Sequence, residues 1–186
     1  EPLTPPATGK FEISGWIPYW RAATGTADVL PHLSQLTSVM PFSYTVRSDG
    51  TLNDRLNLKE EPWVSFMAKA REAKVRIIPS ILWGDGEATH RILSDTGKRI
   101  ALEDEIAALV KREGFDGIDI DFEAKKHETL TYFSTFLKGL YQRMSKNWVY
   151  CTIESRTPLE ERYSNGTKIP SDADDVANDF IEINKY

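Results

Sequence analysis

The sequence predicts an α/β fold in which the strands of a parallel sheet alternate with helices. Short apolar runs with strand character recur along the chain, and the stretches between them carry apolar residues at helical spacing. This alternation indicates successive βα units around a parallel sheet. The chain has 186 residues, of which 40% are hydrophobic, so it is long enough to bury a core.

The apolar runs predict five strands. They are Glu12–Tyr19, Ser38–Tyr44, Arg76–Ile81, Gly117–Phe122 and Trp148–Ile153. A helix is expected to open at Pro62, because proline is favoured in the first helical turn. Further helices are expected over Thr96–Arg112, which stops at Gly114, over Glu128–Met144, and as a short segment within Ser171–Tyr186.

The segment Phe115–Glu123, with the sequence FDGIDIDFE, is the most informative part of the chain. Side chains alternate between the two faces of a strand. Asp119, Asp121 and Glu123 therefore point one way, and the apolar residues between them point the other. Successive carboxylates then lie about 6.5–7 Å apart, because a strand rises roughly 3.3 Å per residue.

An acidic row on a half-apolar strand is expensive, because like charges resist joint ionisation and burial penalises each charged form. Its expected use is a chain of shared protons, in which the outermost acid stays protonated and acts as a general acid. Two other interpretations remain open: a solvent-facing edge strand with acidic decoration, and a site for a divalent metal ion. Asp116 is expected to point to the face opposite the other three acids, and to be structural by capping the turn at Gly117.

This segment resembles the DGxDxDxE signature of the family 18 glycoside hydrolases, the chitinase-like enzymes, and every specified position is present. Gly15–Trp20 is similar to the first barrel strand of that family. Leu36–Thr45, followed by Ser48–Gly50, resembles the second strand and the loop after it. That loop is most similar to the branch of bacterial and spore-associated peptidoglycan or chitooligosaccharide hydrolases.

The resemblance implies a (β/α)8 TIM barrel, of which this chain supplies roughly the first five βα units. Such a barrel typically needs about 250 residues. The expected organisation is a flexible leader over residues 1–10. Residues 11–186 would then form the N-terminal part of a catalytic barrel, truncated before strand six.

The resemblance also implies a retaining hydrolase of β-1,4-linked N-acetylglucosamine glycans, either chitin-type or peptidoglycan, that works by substrate assistance. Glu123 would be the general acid, and Asp121 would orient the acetamido group of the sugar. Asp119 would hold or exchange a proton with Asp121. The alternative is a non-catalytic glycan-binding protein of the same fold, against which the presence of Glu123 argues.

Four residues near the expected barrel mouth are candidate substrate contacts. They are Trp83, Tyr44, Trp20 and Glu154. The aromatic rings would stack on sugar rings, although each could equally pack in the core. Family members often carry Ser-x-Gly-Gly on strand three, whereas this chain has PSILWG over Pro79–Gly84, which favours the divergent spore-type or cell-wall branch.

Composition limits the partners. The net charge of −5 argues against nucleic acid, and no apolar run reaches the length of a membrane-spanning helix. No cofactor and no metal is expected, and Cys151 is the single cysteine, so no internal disulfide can form. A monomer is expected, secreted or associated with the cell envelope, as inferred from the leader and the family.

Overall fold

The computed structural model describes residues 11–153 and the backbone of residues 163–164 and 167–168. The strands of these residues are, in chain order, β1 (Ser14–Pro18), β2 (Ser38–Val46), β3 (Leu52–Asp54), β4 (Arg76–Ile77), β5 (Ser80–Trp83), β6 (Gly117–Phe122), β7 (Trp148–Cys151), β8 (Tyr163–Ser164) and β9 (Thr167–Lys168). β8 and β9 form an antiparallel pair.

The main sheet has the order β1-β2-β5-β6-β7, and all four pairings along this path are parallel. β3 pairs antiparallel with β2 beyond the main path, and β4 pairs parallel with β2. Sequential parallel strands with helical crossovers are the expected first part of a β/α barrel, which confirms the predicted fold class. The described strands do not close the barrel.

Helices connect the strands. They are α1 (Ala22–Val29), α2 (Trp63–Glu72), α3 (Gly86–Leu93), α4 (Thr96–Glu113) and α5 (Leu130–Met144), with short 3-10 segments at Tyr19–Arg21, Leu30–Gln35 and His127–Thr129. The predicted helices after Pro62, at Thr96 and before Met144 are present, whereas α1 and α3 were not predicted. The predicted helix within residues 171–186 lies outside the described residues. No helix in the described part of the chain is long and apolar enough to cross a membrane.

The third predicted strand is divided into β4 and β5. Pro79 lies between the two pieces and has no N–H to donate to a neighbouring strand, so the ladder is interrupted there. The second piece continues to Trp83, two residues beyond the predicted end at Ile81.

Local signals fix the ends of α4. The Asp95 side chain accepts hydrogen bonds from the backbone N–H groups of Gly97 and Lys98, at 2.9 and 3.1 Å. The helix ends at Gly114, whose φ of +66° lies in the left-handed region that favours glycine. Phe115 then donates to the Val110 carbonyl at 3.0 Å, and the chain turns directly toward β6.

The core lies between the sheet and the helices. The outward side chains of β6, Ile118, Ile120 and Phe122, are at most 2% exposed. Phe122 stacks on Phe136 of α5, with ring centroids 5.4 Å apart. Burial of each such side chain contributes about 1.5–3 kcal/mol, which holds this face of β6 against the helix layer.

A buried charge joins α4 to α5. The Glu103 side chain is 3% exposed, and its carboxylate pairs with Arg143 at 2.7 Å and with Arg99 at 3.4 Å. Burial raises the pKa of the Glu103 carboxyl, against the opposing attraction of Arg143 and Arg99. Gly139 of α5 faces this carboxylate so closely that an added methyl group would overlap it.

We predict that Arg143→Met lowers the free energy of unfolding by about 2–4 kcal/mol, because it leaves a buried carboxylate with reduced compensation. Urea denaturation measures this loss. The control is Lys59→Met, which removes the more exposed pair between Lys59 and Glu113. It should cost less than about 1 kcal/mol. Equal losses in the two variants would contradict the structural role given to Glu103.

Candidate active site

Asp119 is the most deeply buried member of the acidic row, at 1% exposure. Its Oδ2 accepts hydrogen bonds from Ser80 Oγ of β5 at 2.6 Å and from Trp16 Nε1 of β1 at 3.3 Å. Its Oδ1 accepts one from Thr152 Oγ1, directly after β7, at 2.9 Å. Donors from three other parts of the sheet therefore meet on one carboxylate and compensate its burial.

The register of β6 places Asp121 on the same inner face as Asp119. Ser80 pairs with Asp119 and Leu82 pairs with Asp121, so the row runs toward the carboxyl ends of the strands. Asp121 is 6% exposed. Glu123 is exposed and follows β6 immediately, and its N–H donates to the Trp83 carbonyl at 2.8 Å. The row is therefore graded from a buried acid to an acid at the rim.

The interpretation of β6 as a solvent-facing edge strand is wrong. β6 lies between β5 and β7, and all six of its residues are buried. As for the metal-site interpretation, the described residues contain no group of three or more His, Cys, Asp or Glu side chains that could hold an ion.

A cavity of about 470 Å³ lies beside Asp119 on the inner face of the sheet. Its lining includes Trp16, Met40, Tyr150 and Thr152, so residues of β1 and β2 and of the β7 region face one space. The Trp16 ring is half exposed and bonds to Asp119 at the wall of this cavity. The cavity combines a buried carboxyl group with apolar walls, on the inner face of a barrel that the described strands do not close.

Trp20 lies where the sequence places it, in the turn after β1, and is 66% exposed. Its ring meets Tyr19 edge-on with centroids 4.8 Å apart and Phe42 edge-on at 6.4 Å. The Arg55 guanidinium lies 4.6 Å from the centroid of the Tyr19 ring. These contacts hold an exposed indole at the carboxyl end of β1.

Trp83 does not lie at the barrel mouth as predicted. Ser80 points inward to Asp119, so alternation along β5 turns Trp83 outward, toward the helices. Its ring is 2% exposed and meets Phe122 edge-on, with centroids 5.2 Å apart. Trp83 is therefore a core residue.

Tyr44 is also a core residue. The pairing of β2 with β5 shifts between Phe42 and Tyr44, and this irregularity puts Tyr44 opposite Ile81, whose side chain is fully buried. Tyr44 is 5% exposed and packs against Phe115. Burial, with smaller contributions from Asp54 and Glu113, raises the pKa of its phenol well above the usual range. The last candidate contact, Glu154, lies outside the described residues.

Asp116 is structural, but its partner is not the turn at Gly117. Its Oδ2 accepts a hydrogen bond from the Ile77 N–H at 2.8 Å, and its own N–H donates to the Ile77 carbonyl at 3.0 Å. These bonds tie the start of β6 to the end of β4.

Sequence reasoning missed Trp16, Ser80 and Thr152 as partners of the acidic row. Trp16 lies two residues after Ser14 in β1, so the two side chains point to the same face of the sheet. The Ser14 hydroxyl meets Ser38 on the inner face, and the alternation of β1 therefore indicates that Trp16 also points inward. The contact between Trp16 and Asp119 spans 103 positions in sequence, and no local pattern predicts it.

Comparison with known proteins identifies the family of the chain. The model of the glycosyl hydrolases family 18 matches residues 14–186, and the chain belongs to this family. The "Uncharacterized glycosylase YvbX" of Bacillus subtilis (strain 168) is 23% identical over 104 residues. That match covers 55% of this chain and 30% of the relative.

Solved structures share the fold. A chitinase from Bacteroides thetaiotaomicron superimposes with a TM-score of 0.67 at 25% identity, covering 78% of this chain and 47% of that one. The spore cortex-lytic enzyme SleL of Bacillus cereus gives a TM-score of 0.65 at 18% identity, covering 76% of this chain and 35% of that one. The chain thus spans less than half the length of these relatives.

We predict that Trp83→Ala lowers the free energy of unfolding by about 3–5 kcal/mol, because it empties a buried site against Phe122. The matched control is Trp20→Ala, which removes an exposed indole and should cost less than about 1 kcal/mol. Thermal or urea denaturation compares the two. A small loss for Trp83→Ala would contradict its assignment to the core.

Proposed function

We propose that the protein is a retaining glycoside hydrolase of β-1,4-linked N-acetylglucosamine glycans, either chitin-type or peptidoglycan. The acidic row carries this proposal: Asp119 is buried and hydrogen-bonded, Asp121 is buried above it, and Glu123 is exposed at the rim. Membership of family 18 supports the reaction class. The reaction needs no second carboxylate as nucleophile, because glycosidases of this family use the substrate's own acetamido group.

In the proposed reaction, Glu123 protonates the glycosidic oxygen as the bond from that oxygen to the anomeric carbon breaks. The carbonyl oxygen of the 2-acetamido group forms the new bond to the anomeric carbon and gives an oxazolinium-like intermediate. Glu123, now ionised, takes a proton from water, and the hydroxyl group opens the intermediate from the original face. Two displacements at the anomeric carbon retain its configuration.

Asp121 has the role of orienting the acetamido group, because it lies between the buried acid and the exposed acid of the row. Its carboxylate accepts a hydrogen bond from the acetamido N–H, which turns the carbonyl oxygen toward the anomeric carbon. Asp119 holds or exchanges a proton with Asp121. Both oxygens of Asp119 accept hydrogen bonds from the sheet, so its own position is fixed during this exchange.

Trp20 supplies a platform for a sugar ring, because its exposed indole is held edge-on by Tyr19 and Phe42. The solved structures of similar fold include a chitinase and a spore cortex-lytic enzyme, and both substrate types belong to the proposal. The polymers concerned lie outside the cytoplasm, so the proposal includes secretion or attachment to the cell envelope. We also propose that the protein is a monomer. Cell fractionation and light scattering test these two points.

We predict that Glu123→Gln lowers kcat by about 10²–10⁴-fold, because the amide cannot donate the proton. The assay is hydrolysis of a chromogenic chitobioside, and of purified peptidoglycan, by the full-length protein. The matched control is Glu128→Gln, which changes a 60% exposed glutamate five residues further on and should keep kcat within about twofold. A wild-type kcat in Glu123→Gln would show that Glu123 is not the general acid.

A second variant separates the roles in the row. We expect Asp121→Asn to lower kcat on a chromogenic chitobioside, because the acetamido oxygen is no longer held toward the anomeric carbon, while the pH dependence set by Glu123 is kept. Steady-state kinetics of the variant and the wild type across pH give the comparison. A wild-type kcat in Asp121→Asn would contradict the orienting role of Asp121.

A further inference from the structure

The segment after Glu123 contains a buried lysine that the proposed reaction does not use. Lys125 is 8% exposed, and its Nζ donates a hydrogen bond to the backbone carbonyl of Phe122, the residue directly before Glu123. The same ammonium group lies 4.9 Å from the centroid of the Phe133 ring in α5. A cation in this position bridges the end of β6 and the helix that follows it.

Burial makes this lysine costly, because its ammonium group leaves water. The neighbouring Lys126 is different. Its ammonium group reaches the exposed Glu87 and Glu128 side chains at the surface. Two adjacent lysines thus differ in burial and in partner, and Lys125 is the one bonded to the backbone beside Glu123.

A second contact holds the other side of Glu123. Ala124 has a φ of +51°, which costs a residue with a side chain about 1–2 kcal/mol, and its carbonyl packs against Gly86 at the start of α3. A methyl group at position 86 would overlap that carbonyl oxygen. The Ala124 carbonyl therefore reaches the amino end of α3, where the helix dipole favours negative charge, only because residue 86 is glycine.

We propose that Lys125 and Gly86 are positioning residues for Glu123. Lys125 fixes the carbonyl that precedes the acid, and Gly86 allows the carbonyl that follows it to pack against α3. The Glu123 N–H is itself held by the Trp83 carbonyl at 2.8 Å, so the backbone is fixed on both sides of an exposed side chain. This inference rests on the proposed function for its catalytic consequence, but its backbone consequence is independent.

The catalytic test compares Lys125→Met with Lys126→Met, and Gly86→Ala with Gly84→Ala. A methyl group at Gly84 meets no atom within 4 Å, so that variant is a matched control in the same loop. We expect Lys125→Met and Gly86→Ala to lower kcat by about 10–100-fold with KM within about twofold, since misplacement of a reacting group by about 1 Å costs that much. Both controls should keep wild-type kcat.

The backbone test is amide hydrogen exchange at Glu123 in the same four variants, measured by NMR in the full-length protein. Lys125→Met and Gly86→Ala should speed exchange at Glu123 by about tenfold or more, while the core amides of Ile118 and Ile120 stay unchanged. An inactive wild type with this exchange pattern would end the proposed function and leave the positioning inference standing. Unchanged exchange at Glu123, or equal effects in the controls, would overturn the positioning inference.

Discussion

The carboxylate of Asp119, buried and held by hydrogen bonds from distant strands, is the constraint on which the site depends. A buried carboxylate is costly unless donors compensate it, and Ser80, Thr152 and Trp16 supply them from β5, from the end of β7 and from β1. These bonds fix the position of β6 along the strand direction relative to its neighbours. Once that position is fixed, the rise of the strand places Asp121 further along the inner face and Glu123 at the rim.

The side chains of β6 alternate between an apolar face and an acidic face. Ile118, Ile120 and Phe122 enter the core beneath the helices, where each is at most 2% exposed, and this burial stabilises the strand that the acids occupy. A shift of register by one residue would move the acids into the apolar core and the isoleucines into the cavity. The burial of the apolar side chains and the placement of the acids therefore depend on the same register.

The sequence was sufficient for features that follow from local periodicity. Apolar spacing predicts the alternation of β6, the helices α2, α4 and α5, and the α/β class. Capping residues and Gly114 predict where helices begin and end. The sequence did not predict to which face of the sheet Trp83 and Tyr44 point. The face of Trp83 depends on Ser80 pointing inward, and that of Tyr44 on an irregularity in the pairing of β2 with β5. Contacts such as Trp16 with Asp119 need the folded sheet, because their partners are far apart in the chain.

Two buried acids lie on β6 and one exposed acid follows it directly, and in the proposed reaction the sugar's own acetamido oxygen is the nucleophile. Proton NMR of the products in the first minutes of hydrolysis of an N-acetylglucosamine oligomer tests this mechanism most directly. We expect the β-anomer to form first and then to equilibrate with the α-anomer. Initial formation of the α-anomer would show inversion, which needs a carboxylate that activates water on the opposite face, and would contradict the mechanism.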